Sequence, residues 1–300
     1  MGAQLSISLR YLLVTLLLCG RAACAAEQPL HVLTTIKPLQ LIALAVTGDA
    51  ADVDVLLSAD LYPHDYQLKP SARAKLARAD LVFWIGPGLE TFLERALTSL
   101  PAHVSVEAFQ PQGNAESDAH IWMDPLEAIR IARQMSATLT RIRPERADDW
   151  RGNAQRLEVE LTRLDRELAA NFAGLKSRQG YLVSHDAFGG FERRYGLQHA
   201  ATLSDGHELP PGPRRMMEVR GLIERGAIGC VLVEPQYDRK VIDAVIGHAA
   251  VGQNSVRRVQ IDPLAKDLVI ATKADTDGAA KAVMQFYRGM GQAMADCLSR

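Results

Sequence analysis

The chain has 300 residues, 48% apolar and 23% charged, which excludes a disordered polymer and is long enough for two lobes of ordinary domain size. Lys plus Arg number 34 against 35 Asp plus Glu, so there is no basic excess to suit nucleic acid and no charge block that reads as a tail.

In chain order, Arg10 precedes the apolar run Tyr11 to Cys19, and the small residues Ala22-Ala23-Cys24-Ala25-Ala26 follow. A basic start, a short apolar core and a small-residue exit predict a signal peptide over 1–26, cleaved near Ala25-Ala26. The run is too short to span a bilayer comfortably. A membrane anchor or a buried helix is the plainer alternative, and Arg21 speaks against a lipoprotein start at Cys24. Cleavage removes Cys19 and Cys24 and leaves Cys230 and Cys297, an even count that an oxidising compartment would pair. Two buried free thiols are the competing reading.

The mature chain then alternates. Strand-like segments at 31–36, 53–57, 81–85 and 104–106 are separated by helix-like ones at 39–46, 71–79 and 89–100. This rhythm predicts a parallel sheet covered by helices over an N-terminal lobe, 27–143. Pro144 opens a long helical pattern in which Trp150, Ala154, Leu157, Leu161, Leu164, Leu168 and Phe172 recur at spacings of three and four. A single rigid connecting helix over 144–174 is expected, some 40 Å long at about 1.5 Å per residue. Alternation resumes with strands at 181–184, 228–233 and 256–261 and helices at 213–224, 241–249 and 279–298, which predicts a second α/β lobe over 175–300.

Three histidines sit in similar settings: His64 in Tyr62-Pro63-His64-Asp65-Tyr66, His120 in Asp118-Ala119-His120-Ile121-Trp122, and His185 in Ser184-His185-Asp186. Asp262, in Ile261-Asp262-Pro263, is a fourth candidate. His185 and Asp262 directly follow predicted strands, and ligands of open α/β sheets bind beyond the carboxyl ends of strands. Imidazole nitrogens with one carboxylate suit Zn²⁺. Spacing alone does not define the site, because no HExxH or CxxC motif occurs and a loop histidine is more often a surface residue. Trp84 and Trp122 read as packing residues, and His207 as a solvated loop histidine. His31, His103, His199 and His248 have no local support as ligands, and the role of Glu234 is not readable. Asp65 and Asp186 are candidates to orient neighbouring imidazoles.

From about His31 to Cys297 the chain resembles the zinc-specific solute-binding proteins of ABC transporters. The resemblance is carried by His64-Asp65-Tyr66-Gln67-Leu68-Lys69-Pro70-Ser71, His120-Ile121-Trp122-Met123-Asp124-Pro125 and Ser184-His185-Asp186-Ala187-Phe188-Gly189-Gly190-Phe191. Glu234-Pro235-Gln236 and Ile261-Asp262-Pro263-Leu264 complete it. It implies two α/β lobes joined by a rigid helix and a metal site in the interlobe cleft made by His64, His120, His185 and Asp262. It also implies a Cys230–Cys297 pairing, a periplasmic location, monomeric Zn²⁺ capture and delivery to an inner-membrane permease. Two features depart from the pattern: Gln110 to Ala119 is short and has no histidine, and Pro63 stands where some members carry Glu. A manganese or iron receptor of the same fold is an alternative, but such receptors tend to offer Glu at the position of His185. A zinc hydrolase would need a positioned general base that no motif supplies.

Overall fold

The computed structural model describes residues 29–101, 104–109, 118–175, 179–204, 211–247, 255–269 and 276–299. The expected signal peptide, most of the 110–119 loop, His103, His207 and His248 lie outside them.

The first half builds β1 (Leu30–Thr34), α1 (Lys37–Thr47), β2 (Ala51–Val55), α2 (Pro70–Arg78), β3 (Leu81–Trp84), α3 (Glu94–Leu97) and β4 (Ser105–Ala108). Two long helices follow, α4 (Pro125–Ile142) and α5 (Ala147–Ala173). The second half builds β5 (Gly180–Val183), α6 (Gly189–Tyr195), β6 (Ala201–Thr202), α7 (Pro213–Glu224), β7 (Ile228–Val233), α8 (Arg239–Ile246), β8 (Arg257–Gln260) and α9 (Thr276–Leu298). The strands form two four-stranded parallel sheets, ordered β2-β1-β3-β4 and β6-β5-β7-β8. The two lobes therefore share one strand order. Their sequences do not advertise it, because strand pairing depends on which apolar faces meet and not on residue identity.

Side chains alternate across each strand, and both faces of each sheet are covered. In the first sheet Val32, Leu81 and Phe83 point into a core shared with α1, α4, α5 and α9, while Leu33, Val82 and Trp84 point to an outer core with Leu76 of α2. In the second sheet Tyr181, Val183 and Leu232 face the shared core, and Leu182 and Val231 face an outer core with Val219 and Ile242. The helices between the sheets thus weld the lobes through one continuous apolar layer.

The long helix agrees with its apolar stripe: Trp150, Ala154, Leu157, Leu161, Leu164, Leu168 and Phe172 are all buried. Pro144 does not open it directly. Pro144–Arg146 form a 3₁₀ turn, and α5 starts at Ala147. The 18-residue α4 was not foreseen, although Asp124 caps it by accepting from Leu126 N at 2.8 Å and Pro125 follows the cap. The expected helix over 89–100 shrinks to a 3₁₀ turn and the four residues of α3. Its first turn is diverted because Glu90 folds inward, accepting from Thr35 Oγ1 at 2.5 Å and Gly86 N at 3.0 Å. Cys230 of β7 and Cys297 of α9 form a disulfide with Cα atoms 5.5 Å apart. Where α9 crosses α5, Gly291 permits close approach, since a Cβ there would run into the Leu168 side chain.

Candidate metal centre

Every candidate residue sits beyond the carboxyl end of a parallel strand. His64 lies on the β2–α2 loop, His120 follows β4, His185 and Asp186 follow β5, Glu234 follows β7 at once, and Asp262 follows β8. The sheets face each other with these ends, so residues far apart in sequence meet in the cleft.

Three of the four expected ligands come together. The ring centroids of His64 and His120 are 5.3 Å apart, those of His120 and His185 5.2 Å, and those of His64 and His185 6.4 Å. His64 Nε2 lies 3.2 Å from His120 Nε2. Two nitrogens that far apart, each about 2.0–2.1 Å from one zinc ion, would subtend roughly 100° at the metal, close to tetrahedral. His120 and His185 are buried and His64 is half-buried.

Two of the imidazoles are backed by carboxylates. Asp118 Oδ1 is 3.0 Å from His120 Nδ1 and accepts from His120 N at 2.9 Å, while its Oδ2 accepts from Gly190 N across the cleft at 3.2 Å. Burial opposes the ionisation of Asp118, yet hydrogen bonding and charge at His120, with Arg193 behind, hold it below the ordinary aspartate range. Glu234 is fully buried, with Oε1 3.4 Å from His185 Nδ1. The Asp118 hydrogen bond favours the ring proton of His120 on Nδ1 and leaves Nε2 a lone-pair donor, while Glu234 faces His185 Nδ1 at ion-pair distance. The sequence offers Glu234 two readings, orienting a ligand or capping a loop, and does not decide between them, because its partner is brought from 49 positions away by the β5–β7 pairing.

Asp262 stands next to Pro263 and Leu264, which line the cavity. Its Oδ2 accepts from Asp267 N at 3.1 Å. Burial raises its carboxyl above the ordinary range, against the opposing pull of the Asp267 amide and the Gln236 side chain. The cavity among Tyr62, Pro63, His120, Trp122, His185 and Glu234 is about 10 Å³, room for an ion and not for an organic substrate.

The cleft is closed by contacts between the halves. Trp122 Nε1 donates to Pro263 O at 2.9 Å, Gln236 Nε2 to Ala59 O at 2.7 Å, and Lys266 pairs with Asp60 at 2.7 Å. Trp122 is thus both a packing residue and a hydrogen-bonded latch. A separate group, Asp186, Glu192 and His199, also brings ligand-type atoms together; the sequence offers His199 no support as a ligand, gives Asp186 a supporting role only and does not single out Glu192.

Residues 32–281 match the family described as zinc-uptake complex component A, periplasmic. The chain belongs to that family. Among zinc-uptake relatives, the high-affinity zinc uptake system protein ZnuA of Paracoccus denitrificans is 30% identical over 317 residues, covering 91% of this chain and 93% of the relative. The protein of the same name from Yersinia pestis is 30% identical over 275 residues, covering 80% of this chain and 84% of the relative. A crystal structure of ZnuA superposes with a TM-score of 0.74 at 22% identity, covering 90% of this chain and all of that one, and so shares the fold. Among the described residues no helix is long and apolar enough to cross a membrane.

Proposed function

We propose that this chain captures Zn²⁺ in the periplasm and hands it to the membrane permease of an ABC importer, acting as a monomeric receptor without catalysis. The observation that carries the reading is the meeting of the His64, His120 and His185 rings beside an ion-sized cavity lined by His120 and His185, with the Asp118 and Glu234 carboxylates facing Nδ1 of His120 and of His185. Three neutral imidazoles are a nitrogen-rich, borderline-soft set that suits zinc over manganese. Membership of the zinc-uptake family and the names of its relatives support the same cargo. Asp262 supplies the fourth ligand in this reading, after a small shift of the 262–267 turn. A cavity of this size leaves no space for a substrate beside the metal, which speaks against a hydrolase.

The proposed mature chain begins after Ala25-Ala26, with lobes over 27–143 and 175–300 joined by 144–174. Native mass spectrometry of protein purified from the periplasm without added metal tests the proposal. One bound zinc on a monomer lacking residues 1–26 is expected; bound manganese or iron, or a metal-free chain that ignores added zinc, would overturn it.

A further inference from the structure

Asp186, Glu192 and His199 each bring one ligand-type atom to within 4.8 Å of the other two. All three come from one β-α-β unit: Asp186 from the loop after β5, Glu192 from α6, and His199 from the link to β6. His199 Nδ1 is 3.0 Å from both oxygens of Glu192. Glu192 is buried and held in place, its Oε1 accepting from Tyr181 Oη at 2.5 Å and from His199 N at 3.1 Å. Asp186 is exposed and forms the open side of the group.

We propose that Asp186, Glu192 and His199 form a second, solvent-accessible site for a divalent transition metal of the zinc class, weaker than the three-imidazole centre and filled after it. An ion pair between His199 and Glu192 needs only two partners. Glu192 and Asp186 both favour a positive charge beside them, now met by His199, and a divalent cation that displaces the His199 proton meets both at once. Two carboxylates and a neutral imidazole together carry the charge that balances such an ion. Donors 3.0 Å apart, each about 2.1 Å from one metal, subtend roughly 90°, an ordinary bite for two ligands. Arg215, whose charge opposes a proton on His199, is occupied by Thr202 O at 2.9 Å and by Glu218. Fewer nitrogens and an exposed arm make the site weaker than the cleft. Asp186 follows His185 directly, so an ion held here waits one residue from a ligand of the main centre. The inference rests on this group's own geometry and stands whether or not the cleft takes zinc.

The test is calorimetric titration of the chelator-stripped mature protein with Zn²⁺ near neutral pH, in wild type, Asp186→Asn and His199→Gln. Wild type should show a tight event followed by a weaker one. Each variant should lose the weaker event or weaken it at least about tenfold while the tight event stays. Asp186 is exposed, so Asp186→Asn leaves the fold intact, and it decides alone if His199→Gln lowers the melting point of the apo protein. A single event in wild type, or a weaker event that persists unchanged in a folded variant, overturns the proposal. Loss of the tight event would count against the cleft reading instead.

Discussion

His64 Nε2 and His120 Nε2 stand 3.2 Å apart in the cleft, one from a loop after β2 and the other from the segment after β4. His120 presents a lone pair there, because its Nδ1 faces Asp118. His64 can donate to it, and in the proposed zinc-bound form both nitrogens are ligands. The His64→Ala and His120→Ala variants should each weaken zinc binding by at least about a hundredfold, since removing a ligand costs more than disturbing its support. Competition against a zinc chelator measures this, and wild-type affinity in either variant would place the site elsewhere.

The carboxylates behind the imidazoles give a second prediction. Asp118→Asn and Glu234→Gln keep the shape of each side chain but remove the charge that orients His120 and His185. Zinc affinity should fall by about 10–100-fold in each, the usual effect of removing a ligand's supporting partner. Glu234→Gln should also leave the apo fold intact, as it removes a buried charge. Unchanged affinity in both variants would show that the rings are oriented by packing alone.

In the proposed site His185 is the residue that sets metal choice. His185→Glu exchanges a nitrogen for a carboxylate and should lower the Zn/Mn affinity ratio, although zinc can still bind more tightly in absolute terms. The ratio is read by competition in wild type and variant, and an unchanged value contradicts a ligand role.

The pH dependence of apo stability singles out Asp165 on α5. Arg194 on α6 binds it through Nε at 2.7 Å and through a second bond to its other oxygen, and Tyr195 Oη donates at 3.1 Å. Burial opposes ionisation, but the Arg194 bonds and charge hold the carboxyl below its ordinary value of 3.8. A depressed acid contributes its stability above the unfolded value and loses it as pH falls through the folded one. Asp165→Asn should therefore cost about 1–3 kcal/mol at neutral pH, between the values for exposed and buried pairs. The gap to wild type should close as pH drops below about 4. Urea unfolding across that range measures it; a gap independent of pH would assign the loss to packing.

The Cys230–Cys297 bridge closes a 67-residue separation and ties α9 to the second sheet. By loop entropy it should contribute about 4 kcal/mol. Alkylation after non-reducing denaturation should find no free thiol in the mature chain, and two would contradict the pairing.

Much of this was legible along the chain. Strand β7 and helix α7 fall where an apolar run and Pro213 predict them, and the seven-residue stripe from Trp150 to Phe172 gives α5 its buried face. His185 was readable as a cleft residue because it immediately follows a strand. The helix α4 was legible too, since Ala128, Ile131, Met135 and Leu139 recur on its buried face at spacings of three and four, but that face also includes Ser136 and Thr138. For Glu234 the sequence leaves ligand orientation and loop capping open, and for His199 it offers nothing. Their partners, His185 and Glu192, reach them only through strand pairing and the turn at the end of α6, and neither spacing belongs to a local motif.

The central claim is that zinc sits among His64, His120 and His185. Anomalous diffraction at the zinc edge, from crystals of the mature protein loaded with one equivalent, tests it most directly. One peak about 2.0–2.1 Å from Nε2 of all three histidines is predicted. A first peak at Glu192 and His199, or anywhere outside the interlobe cleft, would contradict it.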